Sequence, residues 1–399
     1  MSPIVPAVAQ GGGRAVTLDR LRGALVGLVV LHHAILAYCT FGHVDRADSA
    51  LSTAPIVDPE RWRAFDALVL LDDAFFMPLL FLLSGLFVWD GLARKGPGAF
   101  LRDRMRRLGL PFAVAVLTLV PLAYYPSFLQ AGGRAGFAAF WIRTVTVGPW
   151  PSGPPWFLGV LLAFDAVAAL VFVRMAGRPP AGGANPHPLS LPTALSTPAS
   201  GFVVLVAVSG LLYIPLLLAV GPARWVGFGP FAIQASRVGL YATYFAAGAV
   251  LGRGGMPAIR RCGQALVPHW RLWSVLAVPA GLMLLAAGAI GAAGRWPAGD
   301  ALALEGVART VFCATAALAL PALFLRFGGR PSRAWDSLSA NSFAIYLLHY
   351  PAVTWTQFGL LALPLGAALK GAIVFAVAFA ASWAGAVAVR RVPFVRKRL

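Results

Sequence analysis

An arginine and two adjacent histidines lie within one apolar stretch near the start of the chain, LDRLRGALVGLVVLHHAILAY, residues 18–38. Arg22 and His33 are eleven residues apart. At 3.6 residues per turn this spacing places them on nearly the same face of a helix, about 16 Å apart along its axis. His32 falls about a quarter turn away, so we expect it to be mainly structural. The pattern predicts that His33 is a general base, with Arg22 as its companion on the same face.

A second histidine, His349, lies within another apolar stretch, NSFAIYLLHYP, at a similar distance from the inner end of its helix. One such histidine could equally be a hydrogen-bonded core residue. Ionisable groups at membrane depth are costly and usually line a pathway or a site. Two histidines at one depth therefore favour proton-transfer chemistry.

The composition indicates that the helices carrying these residues lie in a membrane. The chain has 399 residues, of which 59% are hydrophobic and 12% charged, and its mean hydropathy is +0.76. Soluble domains have about 25% charged residues. The net charge of +19 comes from basic residues between long apolar runs, which is typical of helix orientation rather than nucleic-acid binding. Three widely spaced cysteines predict neither a metal site nor a disulfide framework.

Crossing a bilayer takes about 20 mostly apolar residues, and ten stretches qualify. They are 22–40, 70–92, 109–127, 155–175, 201–220, 237–252, 272–292, 304–326, 338–358 and 368–389. We therefore predict an all-α polytopic membrane protein with about ten transmembrane helices. The Pro-rich stretch 179–199 is typical of a flexible connection. Since no internal repeat is visible, we expect a single domain over 1–399, with an N-terminal tail 1–17 and a basic C-terminal tail 390–399.

The distribution of Lys and Arg predicts the orientation, because basic loops stay in the cytoplasm. With the N-terminus inside, 23 of the 33 Lys and Arg residues fall on inner segments and eight on outer loops. Both termini are therefore expected to be cytoplasmic. The most basic inner segment is 94–107, which holds six Lys or Arg residues.

The sequence resembles the acyltransferase-3 family of integral membrane acyltransferases. LRGALVGLVVLHH matches the family's signature of an Arg, ten residues and a His on the first helix. Four further motifs follow in the family's order: FFMPLLFLLSGLFV (75–88), RKGPGAFLRDRMRRLGLP (94–111), GPPWFLGVLL (153–162) and NSFAIYLLHYP. The resemblance covers about 18 to 390. It is closest in motif style to the periplasmic glucan succinyltransferase type, and Leu161 and Leu162 stand where the branch that modifies O-antigen usually carries acidic residues.

The resemblance implies roles for individual residues. Arg22 and His33 match the family's essential Arg and His pair, and Arg104 and Arg107 match its R-x-x-R pattern. It also implies that acyl-coenzyme A (acyl-CoA) enters from the cytoplasm as a co-substrate, with no permanently bound cofactor. Guanidinium groups bind phosphate with forked hydrogen bonds. The expected phosphate-binding residues are Arg102, Arg104, Arg106 and Arg107. The alternative is that this segment only orients the protein.

The expected reaction moves an acyl group to a hydroxyl group. Neutral His33 would remove the proton of the hydroxyl as it attacks the thioester, and the resulting oxyanion would need hydrogen-bond donors. The candidate donors are Tyr346, His349 and Ser84, although Ser84 is also typical of helix packing beside Gly85.

The outer half carries residues suited to a sugar acceptor, because carboxylates and aromatic faces bind hydroxyl groups and sugar rings. The candidates are Asp73, Asp165, Glu305 and Trp156, with Asp72 and Trp150 nearby. Two alternatives remain open. Glu305 and Arg309 are four residues apart and could simply neutralise each other, and the tryptophans could form an interfacial belt.

The expected function is thus an O-acyltransferase in the bacterial inner membrane that acts on a periplasmic or cell-surface glycan. Its expected partners are acyl-CoA, the acceptor and the lipid bilayer, and not nucleic acid. One alternative is the same chemistry on a small-molecule or lipid acceptor. Another is a secondary transporter, since buried His, Asp, Glu and Arg also suit a substrate pathway.

Overall fold

The computed structural model describes residues 13–43, 54–176 and 197–391. Most of the Pro-rich connection 179–199 and most of the two tails, 1–17 and 390–399, lie outside these residues. The described residues form helices and one two-stranded antiparallel hairpin. The predicted all-α fold is confirmed.

Eight helices occupy the first half of the chain. They are α1 (Gly13–Leu36), α2 (Arg63–Gly85), α3 (Val88–Lys95), α4 (Pro97–Arg104), α5 (Leu110–Val114), α6 (Val120–Gln130), α7 (Phe137–Thr146) and α8 (Trp156–Ala176). The second half contains the hairpin and seven helices. They are α9 (Pro198–Val220), β1 (Trp225–Phe228), β2 (Phe231–Gln234), α10 (Val238–Leu251), α11 (Gly255–Leu266), α12 (Trp270–Ala293), α13 (Ala298–Phe327), α14 (Arg333–Leu360) and α15 (Ala367–Val389).

Seven helices in the described part are long and apolar enough to cross a membrane, judged by length and composition. They are Arg63–Lys95, Pro97–Gln130, Trp156–Met175, Pro198–Val220, Gly255–Ala293, Ala298–Phe327 and Ala367–Val389. Helices α1, α10 and α14 coincide with the other three apolar stretches. Helix α10 has only 14 residues, and α1 and α14 carry the histidines and several charged residues. The chain is a polytopic membrane protein, and the count of ten spans stays a prediction.

Helix α1 packs against α2, α13, α14 and α15. On its other side α2 packs against α10, and glycines let the two backbones meet. A Cβ atom on Gly85 would lie 2.3 Å from the carbonyl oxygen of Phe245, and one on Gly248 would lie 2.1 Å from that of Leu82. Small residues at such crossings are typical of packing in membranes. The Ser84–Gly85 step is therefore part of a helix contact.

Helices α4, α5 and α6 form one continuous helix, which two π-helical turns, Met105–Gly109 and Ala115–Leu119, interrupt. Pro111 and Pro121 each follow one of these turns by two residues. Proline has no N–H group, so it cannot pair with the carbonyl one turn earlier, and helices commonly widen or bend there.

Three tryptophan indoles replace N–H groups that the prolines of this helix lack. Pro121 leaves carbonyls one turn earlier without their usual donor, and Pro126 does the same at Leu122. The indole N–H groups donate from Trp150 to Val116 (3.0 Å), from Trp141 to Leu117 (2.6 Å) and from Trp355 to Leu122 (3.0 Å). An unpaired carbonyl in a membrane is costly. These bonds therefore attach α7, α14 and the segment before α8 to the long helix.

Ionic contacts hold α1 and the segment that follows it. At the inner end, buried Arg20 donates to Asp336 and to the carbonyls of Gly328 and Arg330. At the other end, Asp58 accepts two hydrogen bonds from Lys370 of α15, at 3.0 and 2.9 Å, and a third from the backbone N–H of Glu60 at 2.9 Å. The side chains of Asp58 and Lys370 are fully buried. A buried pair costs several kcal/mol if one partner is lost. The helix that carries Arg22 and His33 is therefore held in a fixed position.

Candidate active site

His33 of α1 meets His349 of α14 at the centre of the site. The Nδ1 atom of His33 lies 2.8 Å from the carbonyl oxygen of Val29, and that of His349 lies 2.6 Å from the carbonyl oxygen of Tyr346. The Nε2 atom of His349 lies 3.4 Å from Nδ1 of His33. The two histidines that the sequence placed at one depth are therefore in contact.

These contacts assign the protons of both rings. Carbonyl oxygens only accept, so each Nδ1 carries a hydrogen and each Nε2 carries a lone pair. The lone pair of His349 faces the Nδ1–H group of His33. The arrangement leaves Nε2 of His33 as the free basic nitrogen of the pair.

Two residues of α14 further fix the position of His33. The ring of Tyr350 lies edge-on to the imidazole, with 5.0 Å between ring centroids. The amide of Gln357 donates to the carbonyls of His33 and Ala34, at 2.9 and 3.2 Å. Carbonyls at the C-terminal end of a helix lack partners within it, so Gln357 supplies two of those missing bonds.

His32 has a different environment, although it is adjacent in sequence. Its Nδ1 atom lies 2.8 Å from Oδ1 of Asp72 on α2, and both side chains are buried. Its ring also contacts Phe76, at 5.2 Å between centroids. The two histidines therefore point toward different helices, which agrees with the prediction from helix geometry.

Arg22 lies near the middle of α1, where its side chain contacts α2. Its guanidinium donates to the carbonyl of Leu83 at 2.9 Å and to Asp19 at 3.2 Å, and it lies 5.0 Å from the centroid of the Phe87 ring. About a third of the side chain, 32%, stays exposed. Part of the guanidinium is therefore available to a ligand.

The structure separates the four arginines of the basic segment. Arg102, Arg106 and Arg107 are exposed, and Arg107 pairs with Asp103. Arg104 is only 23% exposed and points inward, where its Nε lies 3.2 Å from Oδ2 of Asp165. It also lies close enough to Arg22 for the two positive charges to repel each other. Arg22 and Arg104 are therefore the two partly buried cations of this region, and they are called the cationic pair below.

The structure places Asp165 differently from the sequence-based expectation. We expected it in the outer half, whereas it contacts the basic segment. The reason is the depth at which α8 begins. The hydroxyl of Tyr346 donates to the carbonyl of Pro154, so the start of α8 lies near the histidines. Asp165 is nine residues beyond Trp156, and therefore roughly 13 Å further inward.

Trp156 likewise lies near the depth of the histidines rather than at the outer boundary. Its ring stacks on Tyr241 at 5.4 Å between centroids and is edge-on to Trp225 at 5.9 Å. Phe81 completes this aromatic group at 6.3 Å. In this group Phe81 and Tyr241 are fully buried, while Trp156 is partly exposed and Trp225 exposed. The role of Trp156 in acceptor binding stays a prediction.

The three expected oxyanion donors are engaged elsewhere. The hydroxyl of Tyr346 donates to Pro154, that of Ser84 donates to the carbonyl of Leu80 at 2.8 Å, and Nε2 of His349 carries a lone pair. These residues would have to change partners before they could donate to an oxyanion.

The predicted acceptor carboxylates Asp73 and Glu305 belong to one ionic network. Asp73 accepts from both Arg237 and Arg309, and Arg309 also donates to Glu305 at 3.0 Å. The carboxylates are 21% and 22% exposed, whereas the arginines are 10% and 5% exposed. The predicted pairing of Glu305 with Arg309 is present. The two carboxylates are therefore the more exposed groups of the network.

Sequence reasoning missed several residues of this site. Tyr350 directly follows His349 in its motif, so adjacency was a usable signal for it. Asp72 was noted beside Asp73, but its pairing with His32 was not expected. Arg237 was counted among the outer loops because it stands at the edge of an apolar stretch. Gln357 carried no signal, because its role depends on contact with a helix more than 300 residues away.

Comparison with known proteins gave one match. A family model described as an acyltransferase domain, Acyl_transf_3, matches residues 16–389. No curated protein and no solved structure matches the chain.

Proposed function

The chain belongs to the acyltransferase-3 family, and from this membership we propose that it transfers an acyl group from cytoplasmic acyl-CoA to a hydroxyl group of a periplasmic or cell-surface glycan. The acyl group is acetyl, succinyl or similar, and the membrane is the bacterial inner membrane. The observation that carries this proposal is the free Nε2 atom of His33. An unprotonated ring nitrogen in a buried site is what a general base for acyl transfer needs.

The donor would enter from the inner side. Arg22 and Arg104 form a cationic pair that suits the phosphates of acyl-CoA. His33 lies eleven residues further along α1, roughly 16 Å outward. An extended pantetheine arm can cover that distance, which would bring the thioester to the histidine.

The reaction follows from this placement. As the acceptor oxygen attacks the thioester carbonyl carbon, Nε2 of His33 takes the hydroxyl proton, and a tetrahedral intermediate forms. The intermediate then expels the CoA thiolate, which takes the proton back from His33. The new ester leaves on the acceptor, and the histidine returns to its neutral form.

His349 would support this cycle without touching the acceptor. The carbonyl of Val29 is the nearer acceptor of the Nδ1 hydrogen of His33, and the Nε2 lone pair of His349 lies 3.4 Å from the same Nδ1 atom. Together the two acceptors would keep the proton on Nδ1 and stabilise the positive charge that His33 acquires, as the carboxylate does for the histidine of serine hydrolases.

The acceptor would approach from the outer side. The partly exposed ring of Trp156 and the exposed ring of Trp225 suit a sugar ring, and the partly exposed carboxylates of Asp73 and Glu305 suit hydroxyl groups. A lipid or small molecule with a hydroxyl group would use the same chemistry.

The test compares the adjacent histidines in purified protein reconstituted in proteoliposomes. Radiolabelled acyl-CoA is supplied on the basic-loop side, and transfer to isolated envelope glycan is counted. His33→Ala should lower turnover about 10² to 10⁴-fold, the usual contribution of a general base. His32→Ala, compared at equal abundance, should retain most of the activity.

The opposite pattern, with His33→Ala active and His32→Ala inactive, would contradict the assignment of His33 as the general base. Mass spectrometry of envelope glycans from cells with and without the protein identifies the acceptor. Unchanged glycans, with an acylated lipid or small molecule instead, would move the proposal to the other acceptor class.

A further inference from the structure

The carboxylate of Asp165 is buried without the hydrogen bonds that a buried charge requires. The side chain is 0% exposed, and neither oxygen has a hydrogen-bond partner among the described residues. Its contact with Arg104 has a distance of 3.2 Å, but Nε of Arg104 also lacks a hydrogen bond there. Buried carboxylates usually accept several hydrogen bonds. Asp165 and Arg104 therefore balance each other's charge without a well-formed bond.

The same protein contains the well-formed alternative. Asp73 accepts from two nitrogens of Arg237, and Asp58 accepts twice from Lys370. In each of those ion pairs two hydrogen bonds hold the charged groups together. The contact between Asp165 and Arg104 has no such bonds, so an anion that forms better hydrogen bonds can replace Asp165.

We propose that Asp165 is the resting counter-ion of Arg104, which a phosphate group of the donor displaces. This inference rests on the proposed function, because it places the donor's phosphates at Arg104. A phosphate can form forked hydrogen bonds to a guanidinium, which Asp165 does not form here. When the phosphate binds, Arg104 turns to it and leaves Asp165 beside a second negative charge.

Asp165 then has a consequence for turnover. It keeps Arg104 directed inward before the donor arrives, and its repulsion lowers the affinity for CoA after transfer. A product that must leave before the next donor binds is released faster when such repulsion exists. Asp165 is thus a positioning residue on the donor side, in place of the acceptor role expected from the sequence.

The experiment measures CoA binding to the full-length protein in nanodiscs by isothermal titration calorimetry. Asp165→Asn removes the charge and keeps the shape, so it should tighten CoA binding at least about fivefold, given the repulsion between charges a few ångströms apart. Arg104→Ala should weaken binding at least about tenfold. Asp90→Asn is the matched control, because Asp90 pairs with exposed Arg94 near the same inner end, and it should change binding less than twofold.

Pantetheine, which has no phosphate, separates this role from a purely structural one. Asp165→Asn should leave pantetheine binding unchanged while CoA binding tightens. Equal or weaker CoA binding by Asp165→Asn, when the unaltered protein binds CoA, would overturn the inference. Failure of the unaltered protein to bind CoA would instead overturn the proposed donor. If Asp165→Asn does not fold, Asp165→Ser carries the same expectation.

Discussion

Two neighbouring residues on one helix form two unrelated pairs in this protein. His32 turns to a carboxylate on α2, and His33 turns to a neutral histidine on α14. A carboxylate partner favours a charged imidazole, while a neutral partner leaves the ring able to accept and return a proton. The neighbours therefore suit different tasks, with His32 joining helices and His33 carrying the reaction.

The role of His349 gives the first prediction at this scale. His349→Ala should lower turnover at saturating donor about tenfold to a hundredfold, a part of the general-base contribution. The reason is that His33 would lose the lone pair that faces its Nδ1–H group and its developing positive charge, while the carbonyl of Val29 would remain. His349→Gln should restore part of the rate, because its side-chain oxygen can accept the same hydrogen bond. Steady-state kinetics of both variants measures this.

The comparison also tests the assignment, because kcat and KM separate the possibilities. If His349→Ala raised the KM for acyl-CoA and left kcat unchanged, His349 would belong to donor binding. Equal losses in His349→Ala and His349→Gln would mean that the hydrogen bond to His33 is unimportant.

At the residue scale, the sequence predicted the helix face on which a side chain lies better than its depth in the membrane. Helix periodicity alone separated His32 from His33 and joined Arg22 to His33. It could not place Asp165, because the depth of α8 depends on where the segment before it enters the core. The hydrogen bond from Tyr346 to Pro154 is one of the contacts that hold the start of α8 near the histidines.

At the scale of elements, the long helix Pro97–Gln130 shows how a membrane protein tolerates proline. Indoles from Trp141, Trp150 and Trp355 donate to carbonyls within one turn of Pro121 or Pro126. Sequence analysis predicted a helix in this region. It could not predict the π-helical turns or their indole partners, because those bonds join residues as many as 233 positions apart.

These indole bonds give a prediction about stability. Trp355→Phe keeps the aromatic bulk but leaves the carbonyl of Leu122 without its donor. We expect a loss of about 1–3 kcal/mol, because this carbonyl lies on the lipid-facing surface, where no water can replace the missing donor. The melting temperature of the purified protein in detergent should fall measurably.

Trp296→Phe is the control, because Trp296 is 51% exposed between α12 and α13 and its replacement should not change the melting temperature. Equal melting temperatures for Trp355→Phe and the unaltered protein would mean that water or lipid supplies the missing bond.

At the scale of the whole molecule, the described contacts connect the two predicted substrate sides through one helix. Arg22 lies near the middle of α1, and His33 lies in its last turn. The outer ionic network of Asp73 and Arg237 begins on α2, beside the Asp72 that holds His32. Composition and charge predicted a polytopic membrane protein. Composition and charge could not predict which helices pack against each other, because an apolar helix face in a bilayer does not indicate its packing partner.

The orientation of the molecule gives the last prediction, on which the direction of the reaction depends. With 23 basic residues on the inner segments and eight on the outer loops, the basic segment should face the cytoplasm. The background is Cys262→Ser, in which the remaining cysteines, Cys39 and Cys313, are buried. Ala99→Cys tests an exposed position of α4 within the basic segment, and Ala298→Cys tests the exposed first residue of α13. An impermeant maleimide on spheroplasts should label Ala298→Cys at once and Ala99→Cys only after permeabilisation. Because the cationic pair of Arg22 and Arg104 lies on the side of Ala99, the reverse labelling would place it outside the cell, where acyl-CoA is not made.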